Sequence, residues 1–174
     1  MVREICLLGN PVLRTKCETV KEFSGQGLKR TIGDLVDTLT YQRSTHSFGR
    51  GIAAPQIGVA RKIIFINAEE PVVLINPEIL GKSRQLMTLW DDCFSFPGIL
   101  VKVKRHVKVS VGYRNEKGEK KRFDAVGGLS ELLQHEMDHL NGVLAIDRAI
   151  DSKHIILKSE LKKLTSGAES LYQL

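Results

Sequence analysis

Two histidines and a glutamate within five residues, His135, Glu136 and His139, constrain this 174-residue chain more than any other feature. Apolar residues recur around them at the three- and four-residue spacing of one helix face, at Leu129, Leu132, Leu133, Met137 and Leu140. The spacing predicts an amphipathic helix over about residues 129–140, ended by the Asn-Gly pair that follows. On that helix both imidazoles point the same way and can share one metal ion, with the glutamate between them as a general base.

The position of Glu136 strengthens the metal interpretation, because this residue falls inside the apolar stripe. A carboxylate on a buried face is costly unless something compensates it, and a bound cation does so directly. The plain alternative is a helix whose two histidines are ordinary surface or core residues. The buried-face glutamate favours the metal site over that alternative.

Composition describes an ordinary globular protein, predicted here as one domain over residues 1–174. No run of apolar residues reaches the length of a membrane span, and the first residues do not resemble a signal peptide. The three cysteines have no close pairing, which favours a reducing, cytoplasmic environment. The net charge of +6 comes without a basic patch interleaved with aromatic residues, so no dedicated nucleic-acid site is expected.

The pattern of apolar residues also predicts the other elements of the chain. We expect helices at about 26–43 and 152–164, the latter followed by Thr165, Ser166 and Gly167, and strands at 62–67, 72–76 and 100–113. A turn after the long strand predicts a hairpin partner that runs through Phe123. Strands followed by a buried helix favour an α+β fold over alternating βαβ units.

Arg105 breaks the alternation of the predicted long strand, since it lies in phase with the inward-facing valines. A buried guanidinium without a partner would be costly. The sequence therefore predicts a carboxylate partner, Asp91 or Asp92, unless a bulge turns the side chain outward.

A catalytic metal site of this type needs a third protein ligand. A third histidine six residues after His139 is excluded, because Ala145 stands there. A zinc peptidase would use a downstream glutamate, for which Glu160 is available. Cys93 is the other candidate, against the alternative of an inert buried thiol.

Three separated segments resemble the motifs of the peptide deformylase family. Gly49–Gln56 is similar to its glycine-rich first motif, Cys93-Phe94-Ser95 lies where its cysteine motif belongs, and Gln134–Gly142 matches its third motif in full. The resemblance extends over about residues 4–150. It implies a compact α+β domain with small mixed or antiparallel sheets around the histidine-bearing helix and a C-terminal helix. It also implies a hydrolase that removes the N-formyl group from the N-terminal methionine of nascent peptides.

The resemblance assigns roles to particular residues of this chain. The metal ligands that it implies are Cys93, His135 and His139. Fe²⁺ is the expected metal, with Zn²⁺ and Ni²⁺ as alternatives. Glu136 would be the base, and the carboxamide of Gln56 and the backbone N–H of Phe94 would donate to the developing oxyanion. Gly51 and Phe94 would contact the substrate, the glycine by allowing close backbone approach.

The chain departs from the family around the cleft. Asp91 and Asp92 stand in place of Glu-Gly, and Arg50 and Glu131 stand in place of aliphatic residues, the latter at the pocket for the methionine side chain. Either these charges pair with each other or face solvent and leave a working deformylase, or the site has altered or weak specificity for N-acyl groups. A third possibility is a non-catalytic, metal-bearing interaction protein on the same scaffold, against which the retained Glu136 argues.

The expected partner is an N-formylmethionyl peptide. The lysines of the predicted last helix, Lys153, Lys158, Lys162 and Lys163, add the ribosome surface as a second candidate partner. Plain solvation of an exposed helix face is the alternative. No membrane partner is expected.

Overall fold

The structure, a computed structural model, describes residues 1–165. Within that range the α-helices are α1 (Gln26–His46), α2 (Gly128–Leu140) and α3 (Leu161–Thr165). The strands are β1 (Gly51–Ala53), β2 (Ile63–Asn67), β3 (Pro71–Lys82), β4 (Leu86–Asp92), β5 (Ile99–His106), β6 (Lys108–Arg114), β7 (Lys120–Val126) and β8 (Ile155–Leu157). The fold is α+β, as predicted, whereas the prediction of one domain over 1–174 extends past the described residues and stays a prediction.

The strands form two antiparallel sheets. One has five strands in the order β1-β2-β3-β6-β7, and the other has three in the order β4-β5-β8. Within the described residues, no helix is long and apolar enough to cross a membrane.

Helices α1 and α2 cover opposite faces of the five-stranded sheet. Side chains alternate along a strand, so Ile64 and Ile66 of β2 pack with α2 residues such as Leu133. Ile63 and Phe65, on the other face, pack with residues of α1 that include Leu35. Strand β1 is one edge of this sheet, and its three residues lie in the part that is buried on both sides.

Helix α2 is buried along its length, from Ser130 to Leu140. It begins after Gly127 and ends before Gly142, and both glycines have positive φ, at 61° and 71°. A Cβ at Gly142 would lie only 2.6 Å from the backbone oxygen of Arg14, so the chain needs a glycine for this close approach. The predicted boundaries of this helix are confirmed.

The prediction of one strand over 100–113 is wrong, because the chain changes sheets at Val107. Its N–H donates to the oxygen of Gln85 and its own oxygen accepts from Gly127, at 3.0 and 2.8 Å. Strand β5 before it belongs to the three-stranded sheet and β6 after it to the five-stranded sheet. The hairpin partner of β6 is confirmed as β7, which continues to Val126.

The predicted last helix exists, but its predicted start is wrong. Residues 155–157 pair with β5 as strand β8, flanked by short 3₁₀ turns, and the α-helix begins only at Leu161. The β-branched Ile155 and Ile156 favour the extended conformation, and Asp151 caps the preceding turn through the N–H of Lys153 at 2.8 Å. Ser166 and Gly167 lie outside the described residues.

Candidate active site and metal centre

Three donor atoms converge between α2 and the end of β4. Nε2 of His139 lies 3.2 Å from Nε2 of His135 and 3.3 Å from Sγ of Cys93. All three side chains are buried. An ion held tetrahedrally at about 2.0–2.3 Å from each donor would separate them by about 3.3–3.6 Å, so the spacing fits one metal ion.

The local structure explains why these residues meet. One helical turn separates His135 from His139, so their rings stack edge to face with centroids 4.9 Å apart. Cys93 follows β4 directly, in the turn that leads to β5. Within the described residues, Cys93, His135 and His139 form one of two clusters able to hold a metal ion, and Asp91, Glu131 and His135 form the other.

A buried network of ion pairs supports His135. Asp91 places one carboxylate oxygen 2.8 Å from Nδ1 of His135 and the other 3.1 Å from Arg105. Arg105 also pairs with Asp138, which accepts from the half-exposed Arg148 at 2.8 Å. The inward orientation of Arg105 and its pairing with Asp91 are confirmed.

Two parts of this network differ from the sequence-based expectation. The alternative prediction that Asp92 pairs with Arg105 is wrong, because Asp92 pairs with Lys158 instead, at 3.1 Å. Asp138 was not singled out from the sequence. Its place three residues after His135, on the same side of α2, could have indicated it.

The network shifts the pKa values of the two imidazoles in opposite directions. Burial lowers the pKa of His135, but the charge and hydrogen bond of Asp91 outweigh burial and raise it well above its ordinary value. Burial and the neighbouring His135 hold the pKa of His139 well below its ordinary value. The carboxylate of Asp91 favours a proton on Nδ1 of His135, and a cation at Nε2 would displace the second proton that the raised pKa otherwise retains.

Glu136 lies beside the donor cluster with almost no contact with solvent. Burial raises the pKa of its carboxyl to about 7. Within residues 1–165, its Oε2 is buried without a hydrogen-bond partner, as expected for a group that serves a bound species. A Cβ on Gly51 would lie 2.8 Å from its Oε1, so only glycine leaves β1 this close to the carboxylate.

Gln56 points its amide at the cysteine turn. Its Oε1 accepts from the N–H of Ala53 at 2.9 Å, while its Nε2 lies 3.4 Å from both Cys93 Sγ and Ser95 Oγ. The N–H of Ser95 also points at the sulfur, at 3.4 Å. The carboxamide is therefore oriented with its donor end toward the candidate site.

Phe94 connects this turn to the first glycine-rich segment. Its ring packs against Phe48, with centroids 4.9 Å apart. A Cβ on Gly49 would lie 2.1 Å from the Phe94 ring, so the two segments are in close contact. The structure thus places all seven predicted site residues close together. They are, in chain order, Gly51, Gln56, Cys93, Phe94, His135, Glu136 and His139.

Glu160, the alternative third ligand, lies elsewhere. It pairs with Lys163 at 2.6 Å in the last turns of the described chain. Neither of the candidate metal clusters found among the described residues contains it. The zinc-peptidase alternative is therefore not supported.

The unusual charges of the cleft form two ion pairs. Arg50 Nη2 lies 3.1 Å from Glu131 Oε2, and Lys158 Nζ lies 3.1 Å from Asp92 Oδ2. Burial and the charge of Asp91 raise the pKa of Glu131 to about 7. The expectation that these charges pair with each other is confirmed for Arg50 with Glu131.

Comparisons with known proteins point to one family. The family model described as polypeptide deformylase matches residues 2–154. The peptide deformylase of Thermotoga neapolitana is 37% identical over 163 residues, which cover 93% of this chain and 96% of that protein. That of Dictyoglomus thermophilum is also 37% identical over 163 residues, covering 93% and 100%.

Solved structures give the same result. The crystal structure of the Thermotoga maritima peptide deformylase matches with a TM-score of 0.79 at 36% identity, covering 87% of this chain and 99% of that one. The Synechococcus elongatus peptide deformylase, solved in complex with actinonin, matches with a TM-score of 0.80 at 37% identity and coverages of 92% and 85%.

Proposed function

The chain belongs to the polypeptide deformylase family, and on that premise we propose that it hydrolyses the N-formyl group from nascent peptides that begin with formyl-methionine. One observation carries the proposal: Nε2 of His139 lies 3.3 Å from Sγ of Cys93 and 3.2 Å from Nε2 of His135, beside the buried carboxylate of Glu136. Such a site suits a small acyl group and a hydrolytic reaction, which needs a nucleophile, a base and donors for the oxyanion.

Cys93, His135 and His139 would hold the divalent metal of the family, for which Fe²⁺ is expected and Zn²⁺ or Ni²⁺ would also fit. The ion, when bound, polarises the carbonyl and lowers the pKa of water. The fit rests on the donors themselves. Nε2 of His139 lies 3.2 Å from Nε2 of His135 and 3.3 Å from Sγ of Cys93, and Asp91 lies behind the ring of His135 at 2.8 Å. Binding of a cation would release the proton that Asp91 otherwise favours on His135.

Glu136 would move the proton. Its carboxylate would accept a proton from the attacking water and return it to the nitrogen of the leaving amine. A pKa of about 7 suits both directions of transfer near neutral pH. Its burial excludes bulk water from the transfer.

Gln56 and the backbone N–H of Phe94 would donate to the oxyanion that develops on the formyl carbonyl. Ala53 fixes the far end of the Gln56 carboxamide, so this donor needs little reorganisation. Gly51 would contact the substrate backbone, because its missing side chain leaves the space in front of Glu136.

Two variants test the proposal. We expect Cys93→Ser to abolish hydrolysis of formyl-Met-Ala-Ser and to lower the metal content of anaerobically purified protein. Glu160→Gln is the matched control and should leave both unchanged, since Glu160 pairs with Lys163 and belongs to neither candidate metal cluster of the described residues. Loss of turnover in Glu160→Gln with full activity in Cys93→Ser would contradict the assignment.

The place of action follows from the substrate. Formylated chains leave ribosomes in the cytoplasm, so we place the protein there, with the ribosome surface as a second partner contacted by lysines near the C-terminus. Co-sedimentation with ribosomes at low and high salt tests this contact. No association at low salt would contradict it.

A further inference from the structure

Arg50 and Glu131 lie next to the groups that the proposed reaction uses. Arg50 immediately precedes Gly51, and Glu131 lies one helical turn before His135 on the same stripe of α2. The backbone oxygen of Arg50 accepts from the N–H of Asn67 at 2.7 Å, which fixes this end of β1. The ion pair therefore bridges the two elements, β1 and α2, that enclose Glu136.

One residue of the pair is exposed to solvent, and the other is buried beside the groups that the proposed reaction uses. The Arg50 side chain is 48% exposed, whereas that of Glu131 is only 10% exposed. His135 and Glu136 behind them are almost fully buried. The carboxylate of Glu131 lies within 4.8 Å of a ring nitrogen of His135, so on this side the pair lies between solvent and the proposed metal centre.

Arg50 is held in place by more than one contact. Its guanidinium binds Glu131 through Nη2, and a Cβ on Gly128 would lie 3.2 Å from its Nη1. The guanidinium thus lies against the first turn of α2. A planar donor beside a carboxylate acceptor offers a fixed pair of hydrogen-bonding groups to a ligand.

We infer that the Arg50–Glu131 pair contacts the first side chain of the formylated substrate and makes the site accept a carboxamide side chain as readily as methionine. The inference rests on the proposed function and concerns the substrate class of the same site. A carboxamide carries one acceptor, which suits the guanidinium, and one donor group, which suits the carboxylate. A thioether offers only a weak acceptor and no donor, so it would cover the half-exposed guanidinium without fully replacing the water there.

Glutamine and methionine are close in length, so a pair of peptides that differ only there isolates the polar interaction. The experiment measures kcat/KM for formyl-Met-Ala-Ser and formyl-Gln-Ala-Ser with the unmodified protein and with the double variant Arg50→Val/Glu131→Ile. The double change removes both charges together and so leaves no buried charge unpaired. We expect a ratio of methionine to glutamine peptide within about tenfold of one in the unmodified protein, rising by at least about tenfold in the variant.

The ratio cancels differences in active-enzyme and metal content between preparations. A matched control removes another arginine–glutamate pair, Arg61 with Glu18 at 2.9 Å, by the changes Arg61→Gln/Glu18→Gln, and should leave the ratio unchanged. Should the first double variant misfold, Glu131→Gln keeps the size of the side chain and should still shift the ratio through kcat/KM for the glutamine peptide.

The outcomes separate the two proposals. If the unmodified protein hydrolyses neither peptide with its metal in place, the proposed function fails. If it hydrolyses both, but the ratio is the same in the unmodified and double-variant proteins, the inference about Arg50 and Glu131 is overturned. A strong preference for methionine in the unmodified protein would overturn it as well.

Discussion

Arg105 supports the site from within the protein, and its removal tests whether the buried carboxylates depend on it. The side chain is 4% exposed and pairs with Asp91 and Asp138, so Arg105→Met leaves two carboxylates short of a counter-charge. Removing one partner of a buried ion pair costs about 3–5 kcal/mol. Each carboxylate keeps a second partner, His135 or Arg148, so we expect the lower end, about 3 kcal/mol.

For a chain of this length, that loss corresponds to a fall in Tm of roughly 6–12 °C. Thermal and urea unfolding at pH 7 measure it, with metal content determined on the same samples. The matched control is Arg148→Met, which pairs with the same Asp138 but is half exposed, and it should cost about 1 kcal/mol or less. Equal losses in the two variants would refute the argument, because burial of the pair would then have no effect.

Two further predictions concern β1 and the amino-terminal end. Gly51→Ala should lower kcat/KM about 100-fold, because the new Cβ would lie 2.8 Å from Glu136 Oε1. The control is Gly81→Ala, whose new Cβ meets nothing within 4 Å and should change kcat/KM little. Equal activity of the two variants would contradict this prediction. Burial raises the pKa of Asp34, but Arg3 and the Met1 amino group outweigh it and hold the pKa below its ordinary value. The stability that Asp34 contributes is therefore complete above the ordinary carboxyl pKa and is lost as pH falls through the lowered pKa of the folded protein. Asp34→Asn should make the free energy of urea unfolding depend less steeply on pH below about pH 4. The same pH dependence in the variant and the unmodified protein would refute this prediction.

The sequence predicts those parts of the fold that depend on local pattern. Helix α2 combines an apolar stripe with a Gly-bounded end, and its boundaries were predicted closely. The break at Val107 was missed because odd-numbered residues stay buried on both sides of it, so the alternation continues unbroken. What divides the strands is hydrogen bonding to Gln85 and Gly127, which lie about twenty residues away in sequence. Pattern within a window cannot show such pairing.

The same limit applies to the candidate site. The helix spacing alone indicated His135 and His139, whereas Cys93 was assigned through its resemblance to a family motif, because a lone cysteine has no local pattern. Arg105 was predicted to point inward from its phase in the strand, and the structure agrees. The partners of the network, Asp138 among them, come from separate elements and were visible only in the fold.

The charges at the cleft show why substitutions should be judged in pairs. The family resemblance implies aliphatic residues at positions 50 and 131, and Glu131 alone would bury an uncompensated carboxylate beside Asp91, at a cost of several kcal/mol. Arg50 supplies the missing charge, with its Nη2 3.1 Å from Oε2 of Glu131. The two departures therefore compensate each other, and the site keeps its buried donors and base intact behind them. Because the Arg50 side chain of this compensated pair is half exposed and its neighbour Gly51 lies beside Glu136, we expect the pair to affect which side chains the site accepts, and to leave the proposed base and metal ligands in place.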